Sequence, residues 1–547
     1  MKLLTKTDFI LYRDCAKNVW IKWHKSEEYA KFEVSEFEKS LGVMGNEVEE
    51  LARKMFPGGY LIGRRSDGAQ ELTKKLIAEH TPVIFQAVFA TDKYLAATDV
   101  LKWNPEANAY DLYEIKMSST KEIEEDEEIE EGKPEKVNKK REEQYEYDLA
   151  FQTNVAKHCG VIIHNKYLLR LDKKYIKVGE LNLTKLFIET DKTDKINEVF
   201  QSVTMTEMEN AYEYLSKTEK PAEHCDCYYT RGRRAHCTSF SYINPNLPTF
   251  SVEDTSPYSV HDLNRIGSSK PFLKALLDRG ILKVDEVPEY EIPKPSKTKD
   301  GKEGKPRKLN QVRVYKSKKP IVEISSIKKE LESLKFPLYF LDYETYPVAV
   351  PLFNGYHPYQ NIVFQYSLHV LTEEDAKNGL EPKHFEFLLL EGDPVDRIAE
   401  SLRQNIGDTG SVVSWFKKFE NARNREIADM VVDRVRSEFV RSLVGRTYDL
   451  MDIVENQYYV HHGFKGSSSI KKVQEVLASE YSYKKLHGVQ NGTDAIEAYR
   501  QISRGELTGS ALEEKKLDML KYCKYDTEVM YVIWKFFTDL VSKDATR

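Results

Sequence analysis

The stretch FLDYET, residues 340–345, decides how this chain of 547 residues is interpreted. It is an apolar run that ends in two carboxylates one residue apart. Residues i and i+2 of a β-strand share a face, so Asp342 and Glu344 are predicted to project together. Adjacent carboxylates repel each other unless protons or cations lie between them. Because Mg²⁺ and Mn²⁺ prefer oxygen ligands, the pair is a candidate metal site, although a solvated strand surface gives the same pattern.

A second acidic segment, LDMLKYCKYDTEVM, spans residues 517–530. Its apolar residues recur at helical spacing, which predicts an amphipathic helix. Tyr522 and Asp526 are four residues apart and therefore share one helix face. A further carboxylate with a tyrosine one turn earlier, able to orient a water molecule, fits the two-metal hydrolysis of a phosphodiester.

This strand and this helix together resemble the DnaQ-like (DEDDy) 3′→5′ exonucleases, whose fold is an RNase H-like sheet. The resemblance implies two Mg²⁺ or Mn²⁺ ions held by acidic residues and a water oriented by Tyr522. The family's middle acid normally follows an Asn, which the stretch SVVSWFKKFE lacks. Glu420 takes the place of that acid, and Asp449 in YDLMDI is the competing candidate.

Length and composition limit the class of protein to which the chain can belong. The length predicts two or three domains, and 40% hydrophobic with 31% charged residues is ordinary for a globular protein. The chain has no run of about 18 apolar residues. The N-terminal stretch is interrupted by Asp8, Arg13 and Asp14. We therefore expect a cytoplasmic protein with no signal peptide and no membrane partner.

A second catalytic pattern lies nearer the N-terminus. Asp99 follows a β-rich run, and DLYEIKMSS places Glu114 and Lys116 on one face of the next strand. The two acids can hold a divalent ion, and the lysine can stabilise the charge that develops on a phosphate. Glu47 on the helix MGNEVEELARKMF and Gln152 on the helix YDLAFQTNVAKH can support them. An exposed ion pair between Glu114 and Lys116 is the simpler alternative.

Four of the six cysteines occur where a cluster could use them. They are Cys15, Cys225, Cys227 and Cys237, here called the cysteine quartet. In a cytosolic protein such spacing favours a metal centre over disulfides. The C-x-C-x9-C spacing fits zinc about as well as an iron–sulphur cluster. Cys159 and Cys523 lie in apolar stretches and are predicted to be core thiols.

The order of these acids, Lys116 and Gln152 resembles the RecB-like branch of the PD-(D/E)XK nucleases, over residues 1–240. In iron–sulphur members of that branch, one N-terminal cysteine and three cysteines that follow the nuclease core bind the cluster together. The cysteine quartet occurs in the same order. The resemblance implies a restriction-endonuclease-like core that binds one or two divalent ions. It also implies a 4Fe-4S cluster, with zinc as the alternative.

Three further segments separate or interrupt these modules. Residues 119–144 are almost wholly charged and are predicted to be a solvated helix or mobile loop, or else a lid. Residues 250–286 read as two short helices that meet at Ile266-Gly267, resembling a helix-hairpin-helix connector. Residues 287–320 are rich in lysine and proline, which fits a soluble linker and a basic nucleic-acid strap equally well.

The sequence as a whole predicts a mixed α/β protein, with an RNase H-like domain over residues 321–547. The arrangement resembles a bacterial family of unknown function that joins a RecB-like module to an RNase H-like module. We expect a metal-dependent nuclease with two active centres, acting exonucleolytically on single strands or ends of DNA in preference to RNA. Lys471 and Lys472 are predicted to contact the nucleic acid. The alternative is a nucleic-acid-binding scaffold in which one or both modules have lost catalysis.

Overall fold

The computed structural model describes residues 2–31, 36–63, 67–119, 134–232, 237, 239–248, 257–297, 301 and 303–545. The chain divides into two units, each with its own sheet. The first unit comprises Met1–His224, Cys237–Pro245 and Val348–Gln360. The second unit comprises Cys225–His236, Asn246–Pro347 and Asn361–Arg547. Among the helices that the structure describes, none is long and apolar enough to cross a membrane.

The first unit is built on a six-stranded mixed sheet and a small three-stranded sheet. Its strands are β1 (Leu4–Thr5), β2 (Tyr60–Leu61), β3 (Val83–Phe85), β4 (Val88–Ala90), β5 (Tyr94–Ala97), β6 (Val100–Asn104), β7 (Ala109–Ser119), β8 (Ile163–Leu171) and β9 (Phe187–Asp191). The large sheet has the order β2-β3-β6-β7-β8-β9, and the small sheet has the order β1-β5-β4. The central strand β7 is antiparallel to β6 and parallel to β8.

Helices cover the first unit's sheets. They are Lys6–His24, Ser26–Ala30, Glu36–Arg53, Ala69–Ala78, Pro134–His158, Leu183–Leu186, Thr193–Lys195, Gln201–Ser216 and Phe240–Ile243, with one π-helical turn at Ile196–Phe200. The amphipathic helix predicted around Val48 is confirmed, since Val48 and Ala52 are fully buried against residues of β7 such as Tyr113. In the charged insertion, residues 120–133 lie outside the described residues, and residues 134–144 begin the helix Pro134–His158.

The second unit contains a five-stranded mixed sheet with FLDYET on its central strand. Its strands are β10 (Ile321–Val322), β11 (Leu338–Pro347), β12 (Asn361–Leu371), β13 (Lys383–Leu388), β14 (Ser411–Ser414), β15 (Thr447–Asp449) and β16 (Tyr459–Val460). The large sheet has the order β13-β12-β11-β14-β15, and β10 pairs with β16. Strand β12 is antiparallel to β11 and β13, whereas β14 is parallel to β11 and β15. The predicted mixed α/β fold class is confirmed.

The described part of the second unit also contains α-helices of very different lengths. They are Asp226–Thr230, Lys270–Asp278, Arg307–Ser317, Ile324–Glu332, Glu373–Lys377, Val395–Asn405, Lys417–Met430, Arg434–Gly445, Asp452–Glu455, Ile470–Leu477, Gly492–Ser503 and Gly509–Ala545. Single 3₁₀ turns occur at Val260–Asp262, Ile266–Ser268, Val284–Glu286, Glu289–Glu291, His462–Phe464 and Tyr483–Lys485. The helix Gly509–Ala545, here called the long helix, packs against β11 through Ile533 and the fully buried Phe340. This packing brings the segment that follows Tyr522 onto the central strand.

Two sequence predictions for the connecting region are corrected. The first connector helix is replaced by two 3₁₀ turns, because Arg265 between them adopts a left-handed backbone with φ of 49°. The second helix is present and ends before Gly280, as predicted. The linker interpretation of residues 287–320 is wrong for the helix Arg307–Ser317, where Val312 is fully buried. Gln311 of this helix accepts a hydrogen bond of 2.8 Å from the backbone N–H of Asn264, so the segment is part of the folded unit.

Candidate active sites

Four carboxylates from three separate chain segments approach one another in the second unit. Asp342 and Glu344 lie on β11, Glu420 lies in the helix that follows β14, and Asp526 lies in the long helix. The charge of Asp526 acts on Asp342 and Glu344. The charges of Asp342 and Glu344 in turn act on Glu420. These four residues are here called the four-carboxylate cluster.

Burial is the main cause of the cluster's unusual electrostatics. It raises the pKa of Asp526 to about 6, and it raises the pKa of Asp342 well above its usual value, with the charge of Asp526 adding to the effect. The positive charge of Lys471 acts on Glu344 and Asp526. The positive charge of Arg423 acts on Glu420, so two cations face four carboxylates and leave part of their charge without compensation. Such a cluster is stable only if it binds protons or further cations.

The structure separates the two candidates for the middle acid. The carboxylate of Asp449 accepts hydrogen bonds of 2.9 Å from the backbone N–H groups of Phe416 and Lys417, so it caps the helix Lys417–Met430. Glu420 is only 3% exposed, and its Oε2 atom has no hydrogen-bond partner among the described residues. Glu420 therefore joins the four-carboxylate cluster, whereas Asp449 has a structural role.

Two tyrosines and one lysine surround Asp526. Tyr522 lies one turn earlier on the long helix, as predicted, and contributes a hydrogen bond to the Asp526 carboxylate. The hydroxyl of Tyr483 also donates to Oδ1 of Asp526. Sequence reasoning missed Tyr483, because a tyrosine in a short 3₁₀ turn forms no periodic pattern. Lys471 Nζ lies 5.2 Å from the ring centroid of Tyr483 and 5.8 Å from that of Tyr522, within range of cation–π attraction.

The two lysines predicted to contact nucleic acid differ in their surroundings. Lys471 faces the tyrosines and acts electrostatically on the acids, so it belongs to the site itself. The Lys472 ammonium lies 3.9 Å from the carboxylate of Glu475 on the same helix. Ser469 precedes this helix but makes no side-chain capping bond. Lys471 is therefore the better placed of the two to meet a phosphate near the acids.

Cys523 was predicted to be a core thiol, and it is fully buried. Its surroundings are nevertheless polar. Its Sγ atom and one carboxylate oxygen each from Asp342 and Glu344 lie within 4.8 Å of one another, an arrangement that could hold a metal ion. The sulphur lies 3.9 Å from the backbone carbonyl oxygen of Asp342. A thiol at the centre of this site is a feature that sequence reasoning missed.

Glu114 is the shared hydrogen-bond acceptor of the candidate site in the first unit. Its Oε1 atom accepts hydrogen bonds from Lys6 Nζ at 2.6 Å and Lys116 Nζ at 2.8 Å, and its Oε2 atom accepts one from Gln152 Nε2 at 2.6 Å. Lys116 also donates to Oδ2 of Asp148 at 2.5 Å. The structure therefore brings the predicted Glu114, Lys116 and Gln152 together, and it adds Lys6 and Asp148.

Two lysines offset the charge of Glu114 at this first-unit centre. Burial alone would raise the pKa of Glu114, but the positive charges of Lys116 and Lys6 hold it below its usual range. The negative charges of Glu114 and Asp148 raise the pKa of Lys116 despite its burial. Both lysines therefore stay protonated and bound to carboxylates. In the four-carboxylate cluster, by contrast, Lys471 acts on Glu344 and Asp526 only through its charge.

Asp99 completes the first-unit centre. Its Oδ2 atom accepts a hydrogen bond of 2.8 Å from the backbone N–H of Ile115. Burial raises its pKa to about 7, and the charges of Glu114 and Glu49 add to the effect. Glu49 lies on the helix Glu36–Arg53, on which the sequence predicts Glu47 as the supporting acid. Glu47 is half-buried two positions earlier on that helix.

The cysteine quartet is divided between the units. Cys15 and Cys237 belong to the first unit, and Cys225 and Cys227 belong to the second. Cys225 and Cys237 are buried, whereas the other two are half-buried. Cys15 interrupts the helix Lys6–His24 with an extended backbone. All six cysteines lie in the described part of the chain, and none of them forms a disulfide. The metal or iron–sulphur cluster on the cysteine quartet stays a prediction.

Comparison with known proteins identifies relatives without assigning them a role. Residues 339–469 match a domain of unknown function, DUF2779, a stretch that includes Asp342, Glu344 and Glu420 and ends before Asp526. The chain is 28% identical over 242 residues to the uncharacterized protein MG366 of Mycoplasma genitalium, which is 42% of this chain and 36% of that protein. Its homolog in Mycoplasma pneumoniae is 28% identical over 243 residues, with the same shares covered. The match thus spans about a third of the length of these curated relatives, and no solved structure matches the chain.

Proposed function

We propose that this protein is a metal-dependent nuclease with two active centres that hydrolyses phosphodiester bonds of DNA. In the second unit it would act exonucleolytically on single strands or ends. The observation that supports this most strongly is the four-carboxylate cluster, in which acids from three chain segments act on one another electrostatically. The buried Oε2 atom of Glu420, which has no hydrogen-bond partner among the described residues, fits a ligand that awaits a cation.

Asp342, Glu344, Glu420 and Asp526 would hold the divalent ions of the second unit. Two Mg²⁺ or Mn²⁺ ions bound there supply the means to stabilise the attacking and leaving oxygens of a phosphodiester. The remaining residues act around the acids. Tyr522 is placed to orient a water molecule beside Asp526, while Tyr483 fixes the carboxylate of Asp526. The ammonium of Lys471 is placed to attract a phosphate to this centre.

The mixed order of the five-stranded sheet, with acids on its central strand, supports an RNase H-like module of the DnaQ type. The first unit, with Glu114 and Lys116 on one strand and Gln152 on the following helix, supports a RecB-like module. Asp99 and Glu114 would hold one or two ions there. Lys116 would stabilise negative charge on the phosphate, because it stays protonated between two carboxylates.

A second candidate function is a nucleic-acid-binding scaffold in which one module is inactive. Two lysines already neutralise Glu114, and this observation favours loss of metal-dependent catalysis in the first unit. DNA would then be bound by this unit and cleaved by the other. The proposed cofactors also include a 4Fe-4S cluster on the cysteine quartet, with zinc as the alternative. A cluster of this kind fits a protein of the reducing cytoplasm, which we propose as its location.

The test is hydrolysis of labelled single-stranded and duplex DNA and RNA, with Mg²⁺, with Mn²⁺ and with a chelator. We expect degradation of DNA that requires metal, and we expect Asp342→Asn to lower its rate at least about 100-fold. Lys116→Ala reports on the first unit in the same assay. If Asp342→Asn and Lys116→Ala both leave the rate unchanged, the assignment of both centres is wrong.

The matched control is Asp449→Asn. It alters an acid of the same domain that caps a helix and does not join the cluster. Weakening this cap should cost about 1 kcal/mol of stability and leave the hydrolysis rate of the folded protein unchanged. A loss of activity equal to that of Asp342→Asn would instead restore Asp449 as the middle acid.

A further inference from the structure

The donor atoms at the four-carboxylate cluster are not all oxygens. Cys523 follows Tyr522 on the long helix, and its buried side chain faces β11. The charges of all four cluster carboxylates act on its thiol. A cysteine that only filled space in an apolar core would have carbon neighbours instead. Cys159 provides a contrast within the same chain, since it is half-buried and the charge that acts on its thiol is that of Lys74, not of a carboxylate.

The distances suit a shared ion. The Sγ of Cys523 and the nearest oxygens of Asp342 and Glu344 are all within 4.8 Å of one another. Ligands at about 2.0–2.3 Å from one tetrahedral zinc ion lie about 3.3–3.8 Å from each other. Small side-chain rotations would therefore suffice to close the three atoms around one ion. Glu420 supplies an independent indication, because its buried Oε2 has no hydrogen-bond partner among the described residues while its carboxylate feels the charges of Asp342 and Glu344.

We propose that Cys523 is a metal ligand and that, with Asp342 and Glu344, it binds a zinc-class divalent ion in preference to Mg²⁺. The inference rests on the proposed function, since it names the ion of the same centre. Thiolate is a soft ligand that favours zinc, whereas carboxylate and water favour Mg²⁺. On binding, the thiol gives up its proton to solvent, because the thiolate is the form that coordinates. The second ion would remain with the oxygens of Glu420 and Asp526.

The experiment titrates the chelator-treated full-length protein with Co²⁺, a spectroscopic substitute for zinc, and follows thiolate-to-cobalt charge-transfer absorption. Cysteines of the quartet can contribute to this absorption, so the variants are compared by difference. We expect Cys523→Ser and Asp342→Asn to remove the same band and the same single equivalent of Co²⁺. Cys159→Ser, the matched control, should keep both. Competition titrations should show Zn²⁺ affinity falling about 100-fold in Cys523→Ser, with Mg²⁺ affinity unchanged.

Circular dichroism verifies that each variant folds, and Cys523→Ala is the second variant, because it removes the sulphur without burying a new hydroxyl. A charge-transfer band unchanged in Cys523→Ser and Cys523→Ala overturns the inference. A band lost in those variants but kept in Asp342→Asn also overturns it, because the thiol would then bind an ion elsewhere. Failure of the proposed function gives a different result, namely a Co²⁺ site with the expected ligands in a protein that cleaves no nucleic acid.

Discussion

The two carboxylate centres differ in how their charge is neutralised. In the first unit Glu114 accepts hydrogen bonds from both Lys6 and Lys116 on one oxygen. In the second unit four acids share the site, where Lys471 acts on Glu344 and Asp526 and Arg423 acts on Glu420. The shifts in pKa follow this difference at the paired acid: the pKa of Glu114 is held below its usual range, whereas the pKa values of the cluster acids and of Asp99 in the first unit are raised.

Acidic residues alone therefore do not define a metal centre. The same D-and-E patterns predicted both sites, yet two lysines bind Glu114 directly in the first unit, whereas burial raises the pKa of all four cluster acids in the second. A site whose acids are already paired with lysines gains less from a divalent ion than one whose acids repel one another. We therefore expect the second unit to be the stronger metal site, and the following variants test that expectation.

The largest expected effect is a contrast in stability between Glu114→Gln and Asp526→Asn in metal-free buffer. Loss of Glu114 leaves two largely buried lysines without their shared partner, which should cost about 3–5 kcal/mol of unfolding free energy. Loss of the Asp526 charge removes repulsion from Asp342 and should leave stability unchanged or higher. Denaturant unfolding followed by circular dichroism measures both. Equal losses in the two variants would show that the centres have the same charge balance.

The next effect concerns pH. The pKa of Asp526 is raised to about 6, so its folded carboxyl resists ionisation, and stability in chelator should fall as pH rises from about 4 through 6. The whole shift corresponds to about 3 kcal/mol as an upper value. Glu114 acts with the opposite sign, because its lowered pKa gives stability that is lost as pH falls below its usual value. Measured against pH, the unfolding free energy should fall less steeply between about pH 4 and 6 in Asp526→Asn than in the wild type. In Glu114→Gln it should fall less steeply at acidic pH, below the usual pKa of a glutamate.

A smaller effect is expected from Lys6. Its ammonium lies 2.6 Å from Glu114, close to where a divalent ion would bind that carboxylate. Lys6→Met should therefore raise Mn²⁺ affinity at the first unit about tenfold, as loss of about 1.4 kcal/mol of repulsion would do. Calorimetric titration in an Asp342→Asn background reports this centre without the other. Lys6→Arg keeps the charge and is the control. Equal Mn²⁺ affinities in the two Lys6 variants would show that the charge of Lys6 does not oppose metal binding at Glu114.

Local periodicity explains what the sequence predicted correctly. The i, i+2 spacing of Asp342 and Glu344 and the i, i+4 spacing of Tyr522 and Asp526 are properties of one strand and one helix, so they can be recognised without tertiary structure. Asp148 could also have been found, because it lies one turn before Gln152 on a predicted helix.

Long-range contacts explain what was missed. Lys6 reaches Glu114 across 108 positions of sequence, and Tyr483 reaches Asp526 across 43. No rule of sequence spacing predicts a contact between residues so far apart in the chain. The choice between Glu420 and Asp449 depended on which backbone N–H groups the helix start presents, which only the folded chain decides. The basic segment around Val312 was misjudged because its lysine content outweighed the few apolar residues that form a buried helix face.

The most direct test is anomalous diffraction at the manganese edge from crystals of the full-length protein saturated with Mn²⁺. We expect a strong peak bounded by the carboxylates of Asp342, Glu344 and Asp526, and a weaker peak or none beside Glu114. A saturated crystal with no peak among the second-unit acids, or with its main peak between Asp99 and Glu114, would show that the second unit is not the stronger metal site.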